Sequence, residues 1–438
     1  MAEFENLGDL IRRDRDMSKV AIVDLRGAES PCEYTYVELD AMASGVARAL
    51  SKRGFNRGDR VAILAANRTE YIAAYFGIMR AGFVAVPVNY RFPRKTIHTI
   101  LEDCGAKLVF CDDASKNDVP HGLPHVLFGS EDADGFDEFI DPGQFQSVMP
   151  SPGEPAMFLY TSGSTGRPKA VAVTPHNVAL GIANQRYTLG EEFVALNRRL
   201  CCPGIDVTYG YRMLMRTLAE GGLYCFVDQN LARNVRSLNF YRVQAVLGSP
   251  QQLAFLADYG EQNPGSFTTV EVLVSTGARL PPLLSEKLRR HVCPRLIASY
   301  GSSEGGYISA GLAETLDLER GEVGRVIPTV EAEIVDEATH EPVAQGSGLV
   351  RFRGEDFVRS YYGEAEGDDP HFEDGWFYPG DIATLSPDRM LTILGRNDNV
   401  VNLGGVEIVA ALQFLQHTGQ QVDGFHLVQA SVFLALAS

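Results

Sequence analysis

The stretch Tyr160-Thr161-Ser162-Gly163-Ser164-Thr165-Gly166-Arg167-Pro168-Lys169 decides how this chain reads. The apolar run that feeds it, Met157-Phe158-Leu159-Tyr160, has the character of a buried strand. It delivers the chain into a loop of two glycines, four hydroxyls and one lysine. Glycines let backbone N–H groups turn toward an anion with no Cβ in the way. Hydroxyls add donors for phosphate oxygens, and Lys169 adds a compact positive charge. The combination suits a polyphosphate. It is not the Walker pattern, because Lys169 follows Gly166 by three residues and no Ser or Thr comes next.

Outward from this loop, helical and strand periodicities alternate. Ile72, Tyr75, Phe76 and Met79 form one stripe of a helix expected over 69–80, between the strands Val61-Ala62-Ile63-Leu64 and Val84-Ala85-Val86-Pro87. Further helices are expected over 229–242 and 282–291, with strands Ala245-Val246-Leu247 and Glu271-Val272-Leu273-Val274. Such βαβ alternation predicts an α/β fold with mixed sheets flanked by helices. From about residue 322 the pattern changes to short β runs with Gly and Pro turns, such as Ala332-Glu333-Ile334-Val335 and Gly348-Leu349-Val350-Arg351-Phe352.

Further motifs follow in order: Tyr300-Gly301-Ser302-Ser303-Glu304, Gly321-Glu322-Val323-Gly324, Gly375-Trp376-Phe377-Tyr378-Pro379-Gly380-Asp381 and Gly395-Arg396-Asn397-Asp398. With the hydroxyl-rich loop they resemble the signature of the adenylate-forming superfamily: acyl-CoA synthetases, luciferases and the adenylation domains of nonribosomal peptide synthetases. Ser stands where Thr is usual in the second motif, and Pro379 replaces a Thr in the fourth. The resemblance runs over about residues 7–415. It implies a large AMP-binding domain of two βαβ-type subdomains over 1–395, with a distorted β-barrel from about 322. A hinge would lie at 396–398, and 399–438 would form a shortened small domain.

The implied reaction joins a carboxylate to the α-phosphate of ATP, expels pyrophosphate, and passes the acyl group to a thiol, usually that of coenzyme A. Two anions meet in the first step, so charge stabilisation and positioning carry the catalysis. By the resemblance, Thr161, Ser162, Gly163, Ser164, Thr165, Gly166 and Lys169 hold the β- and γ-phosphates. Tyr300 and Gly301 face adenine, with Gly277 and Ala278 on the other side. Ser303 touches the α-phosphate or carboxylate, and Glu304 ligates Mg²⁺, a hard cation suited to carboxylate and phosphate oxygens. Asp381 accepts the ribose hydroxyls with Arg396 assisting, and Asp398 is the hinge. Asp206, Tyr209 and Ser302 are candidates for the acid pocket. Asp206 stands where CoA ligases carry His or an aromatic, whereas peptide-synthetase domains place an Asp in a similar context to hold an amino group. The residues leave the acid undecided between aryl, slim aliphatic and amino acids.

Composition narrows the partners. A chain of 438 residues with 45% hydrophobic and 22% charged residues has the make-up of a globular protein with several subdomains. A net charge of −17 argues against nucleic acid or anionic membrane. No apolar run reaches the roughly 18 residues of a membrane span. Seven cysteines without metal spacing read as reduced thiols of a cytoplasmic protein. The expected partners are a small carboxylic acid, ATP, and CoA or a carrier-protein thiol; a homodimer is left open.

The tail departs from the pattern. Forty residues follow Asp398, with a helix expected over 408–416 and an apolar run at 432–436. No lysine follows Lys287, so the lysine that the family places in its small domain has no counterpart, and thiol transfer is expected to be impaired. Asn402 replaces a usual Lys, and Ala411-Leu412-Gln413 a usual Glu-Ile-Glu. The expected function is ATP-dependent acid activation of the CoA-ligase type. The alternatives are an amino-acid-activating enzyme loading a carrier protein, or a non-catalytic nucleotide- or acyl-binding remnant.

Overall fold

The computed structural model describes residues 6–25, 31–130, 134–161, 167–190, 193, 195–227, 231–365, 367–397, 400–403 and 406–409. Two sheets organise them, with helices packed on their faces, as the alternating pattern predicts. One sheet has six strands in the order His125–Leu127, Leu108–Cys111, Arg60–Leu64, Val84–Pro87, Met157–Thr161 and Lys169–Val173. All neighbours are parallel except the last pair, an antiparallel hairpin in register from Met157↔Val173 to Thr161↔Lys169. The last pair of that hairpin, Thr161 and Lys169, flanks the hydroxyl-rich segment in the sequence.

The second sheet has fifteen strands. Its parallel half runs Val20–Asp24, Leu223–Cys225, Arg198–Cys201, Ala245–Gly248, Val272–Ser275 and Leu296–Ser302. These strands are near-continuous apolar runs because both faces are covered; Val272–Ser275 and Ala245–Gly248 are buried throughout. At Leu296–Ser302 the sheet turns antiparallel and continues through Gly306–Leu312, Glu322–Val326, Met390–Arg396, Asp381–Leu385 and Gly348–Arg353. The short β runs expected from about 322 continue this antiparallel half, which begins earlier, at the pairing of Leu296–Ser302 with Gly306–Leu312. This topology puts Tyr300 and Asp381, far apart in sequence, on one stretch of surface.

The expected helices are present at Thr69–Arg80, Leu231–Phe240 and Pro282–His291. Two further helices matter for the site. Pro175–Leu189 starts with a capping box, Thr174 and Asn177 satisfying each other's backbone donors, and with Pro175 at its first turn. Thr208–Ala219 is capped by Val207, whose side chain makes no cap bond, and is buried along almost its whole length. The helix expected over 408–416 is corrected at its start, because Val406–Val409 is a strand paired with Val400–Leu403. A β-branched, alternating Val-Glu-Ile-Val run favours extended pairing over a helical turn. Asp398 and the rest of that stretch lie outside the described residues.

Candidate functional site

Residues come together where the parallel half of the large sheet meets its antiparallel half, at the carboxyl ends of Val272–Ser275 and Leu296–Ser302. Open α/β sheets bind ligands at such ends. Tyr300 lies in the strand Leu296–Ser302, and its hydroxyl donates to Asp381 Oδ2 at 2.5 Å. Burial, then the Asp381 carboxylate, pushes the Tyr300 phenol far up, so it stays a donor. Asp381 opens its own strand and is 6% exposed, directly opposite Arg396 in the register. Arg396 Nε approaches Asp381 Oδ1 at 3.8 Å, while Nη2 donates to the Pro379 carbonyl at 3.1 Å. Gly277, at a φ of +81°, and Ala278 follow the neighbouring strand, and the Thr276 hydroxyl donates to the Ser299 carbonyl at 3.4 Å.

The turn after Tyr300 holds the other expected residues. Gly301 is needed there, because a Cβ would stand 2.0 Å from the Gly306 carbonyl oxygen and 3.0 Å from the Tyr209 hydroxyl. The Ser302 hydroxyl accepts from Gly305 N at 3.0 Å and so pins the turn. The Ser303 hydroxyl accepts from the Thr208 hydroxyl at 2.8 Å. Glu304 is 7% exposed; its carboxylate accepts from the Tyr361 hydroxyl at 3.0 Å and its carbonyl from Val358 N at 3.0 Å. A single buried carboxylate fits Mg²⁺, which takes one or two protein carboxylates and fills the rest of its octahedron from phosphate and water. Among the described residues no cluster of three metal-ligating side chains exists.

Lys169 is placed differently from the loop position read in the sequence. It is the first residue of the strand Lys169–Val173, and its ammonium pairs with Asp369, which is 3% exposed. The same nitrogen lies 5.0 Å from the centre of the Tyr361 ring, and His371 donates its backbone N–H to Asp369 at 2.9 Å. Tyr361 thus stands between Lys169 and Glu304. Thr161 ends the preceding strand, directly opposite Lys169. Ser162, Gly163, Ser164, Thr165 and Gly166 lie outside the described residues.

On the acid side, Asp206 sits in the segment before Thr208–Ala219. Its Oδ2 is buried with no hydrogen-bond partner, and burial pushes its carboxyl up to about 6 against a weaker opposing pull from its own backbone N–H and from Arg91. Tyr209 packs edge-on against Tyr307, ring centres 5.4 Å apart. Sequence reading missed Thr208, Arg212, Asp356, Tyr361 and Asp369. Only the two arginines in the apolar run Tyr211-Arg212-Met213-Leu214-Met215-Arg216 were a signal, since a charge on a buried helix must find a partner.

Comparison with known proteins places this geometry. The AMP-binding enzyme family profile matches residues 12–362. A 3-hydroxybenzoate–CoA ligase of Aromatoleum sp. (strain CIB) is 27% identical over 397 residues, covering 85% of this chain and 73% of the relative. Nonribosomal peptide synthetase 7 of Aspergillus fumigatus is 29% identical over 405 residues, 89% of this chain and 16% of that much longer protein. The o-succinylbenzoate CoA synthetase of Bacillus subtilis, bound with its product analogue, has a similar fold: TM-score 0.80 at 21% identity, over 94% of this chain and 83% of that one. With the motifs in order and the family profile matching most of its length, the chain belongs to the AMP-binding enzyme family, the adenylate-forming enzymes.

Proposed function

We propose that this chain activates a small carboxylic acid with ATP, forming an acyl-adenylate, and passes the acyl group only slowly to the thiol of coenzyme A. The observation that carries the reading is the Tyr300–Asp381–Arg396 constellation beside the Ser303-Glu304 turn. An aromatic face, a buried carboxylate for two hydroxyls and an acid for a cation together suit a nucleoside triphosphate. In the first step a carboxylate oxygen attacks the α-phosphorus, the bond to the β-phosphate bridging oxygen breaks, and pyrophosphate leaves. In the second a thiolate attacks the acyl carbonyl and AMP leaves.

Each residue has a part in this. The Asp381 carboxylate, with lone pairs beyond those used by Tyr300, accepts the ribose hydroxyls. The Tyr300 ring takes one face of adenine, and the backbone at Gly277 and Ala278 the other. Ser303, held by Thr208, presents its hydroxyl to the α-phosphate or the acid carboxylate. Glu304 holds Mg²⁺, which supplies positive charge to the phosphates. Lys169 reaches the β- and γ-phosphates only by leaving Asp369. We place residues 1–395 in the nucleotide-binding part, with the hinge at 396–398. We locate the enzyme in the cytoplasm, where seven unpaired cysteines are stable.

Asp206 favours a second reading. A buried carboxylate oxygen without a partner is what an ammonium group would satisfy, so an amino acid handed to a carrier-protein thiol is the alternative. ATP–pyrophosphate exchange across a panel of aryl, aliphatic and amino acids tests both. Exchange with simple acids supports the first reading, and exchange with amino acids alone supports the second. Silence with retained ATP binding removes both.

A further inference from the structure

Behind the Ser303-Glu304 turn lies a buried polar cluster that the nucleotide does not use. Arg212, on the helix Thr208–Ala219, is 5% exposed. Its Nε and Nη1 have no hydrogen-bond partner. Asp356 is 2% exposed; its Oδ2 accepts from Asn184 Nδ2 at 3.1 Å, but its Oδ1 has no partner. Arg212 and Asp356 influence each other's ionisation yet make no ion pair, so a gap separates them. The hydroxyls of Tyr211 and Tyr307, both fully buried, are likewise without a partner in bonding geometry. Buried donors and acceptors left unpaired are costly, by about 1–3 kcal/mol each, which calls for an occupant that meets both.

The cluster is tied to the reaction centre. The Arg212 guanidinium lies against the backbone of Gly306, where a Cβ would come within 2.5 Å of Nη1, and against Gly181, where it would come within 2.2 Å. Asp356 precedes Phe357, whose ring covers Gly305, and Val358, whose N–H holds the Glu304 carbonyl. Thr208, which bonds Ser303, is one helical turn before Arg212 on the same face, and helical side chains lean back toward the N-terminus.

We propose that Arg212 and Asp356 bind the distal hydroxyl of a hydroxy acid, with Arg212 donating to its oxygen and Asp356 Oδ1 accepting its proton. The inference rests on the acid-activation reading and names its substrate class. Charge selects the hydroxyl over a second carboxylate. The arginine and the aspartate already balance, so a further anion would face Asp356 unscreened in a low-dielectric site. A hydroxyl donates and accepts at once and leaves the balance intact. The class includes aryl acids with a ring hydroxyl and short aliphatic acids with a terminal one.

The test is calorimetric binding to the full chain of two sets: benzoate, 4-hydroxybenzoate and terephthalate; butyrate, 4-hydroxybutyrate and glutarate. The parent chain should bind the hydroxy acid of at least one set tenfold or more tighter than both companions, since a site built to bond a hydroxyl rejects the analogue lacking it. Asp356→Asn, which leaves Arg212 uncompensated, should turn the preference toward the dicarboxylate. Arg212→Met should erase it, and if that variant does not fold, Asp356→Asn decides alone. Equal binding within both sets, a dicarboxylate preference in the parent chain, or a hydroxyl preference unmoved by Asp356→Asn overturns the proposal. Binding preference without pyrophosphate exchange would sink the acid-activation reading and leave the hydroxyl site standing.

Discussion

The proposed nucleotide side and the proposed acid side of the site are built on opposite terms. At the nucleotide side the ionisable groups are engaged before any ligand arrives: Tyr300 bonds Asp381, Arg396 faces Asp381 and bonds Pro379, and Tyr361 bonds Glu304. On the acid side Asp206, Arg212 and Asp356 each keep a buried polar atom unpaired. On the proposed roles, specificity resides in the unpaired groups. A common ligand is met by a frame that holds its shape, and a particular one by groups that it alone completes. Preorganised groups lose no reorganisation energy when charge develops, whereas unpaired groups penalise every acid that fails to fill them.

The largest effect should come from breaking the prearranged side. Glu304→Gln keeps the side-chain volume and removes the carboxylate, so acid-dependent pyrophosphate exchange should fall on the order of 10²–10³-fold. Activity that partly recovers at high Mg²⁺ supports the metal role, and an unchanged rate at low Mg²⁺ removes it. Next, Asp381→Ala takes away a charged acceptor for the ribose and leaves Tyr300 without its acceptor. The KM for ATP should rise roughly 10–100-fold, from the loss of about 1.5–3 kcal/mol, with little change in the response to different acids. A shift in acid preference would show that the two sides are not separable.

Asp206 sharpens the comparison through pH. Its folded carboxyl at about 6 lies above the ordinary 3.8, so the fold favours the protonated form. The contribution is fully present below about 3.8 and is lost as pH rises through 6. Asp206→Asn should therefore match the parent near pH 4 and be more stable at pH 7.5 by about 2 kcal/mol, read in urea unfolding. A parent that gains stability over that interval relative to the variant contradicts the assignment. The smallest effects concern Lys169. Because it pairs with the buried Asp369, Lys169→Ala should lower stability by about 1–2 kcal/mol besides weakening ATP binding. Asp369→Asn, which frees the lysine, should change the KM for ATP less than tenfold. A Lys169→Ala chain as stable as the parent would mean that the ion pair contributes nothing.

Legibility followed the same divide. Tyr300, Asp381 and Arg396 were readable because each sits in a local motif of fixed spacing, even though the Tyr300–Asp381 bond spans 81 residues. The helix over 69–80 and the short β runs beyond about 322 were readable from periodicity and turn residues; the turn to antiparallel pairing, which begins at Leu296–Ser302, was not. Asp356 and Asp369 were not, because nothing in Gly354-Glu355-Asp356-Phe357 or Asp368-Asp369-Pro370-His371 separates a buried acid from a solvated one. Their burial is decided by Asn184, Lys169 and His371, which the fold brings from elsewhere in the chain. Lys169 itself was read as a loop residue because its strand, Lys-Ala-Val-Ala-Val, begins on the charged residue. The Val406–Val409 strand was missed because only four residues carry its alternation, the shortest run on which that period can be read.

The most direct measurement of the central claim is a crystal structure with a non-hydrolysable acyl-adenylate analogue. Both ribose hydroxyls should lie on Asp381 at about 2.6–3.0 Å, adenine against the Tyr300 ring, and the acyl carbonyl beside Ser303. A nucleotide bound elsewhere, or bound with its ribose hydroxyls away from Asp381, would contradict the claim.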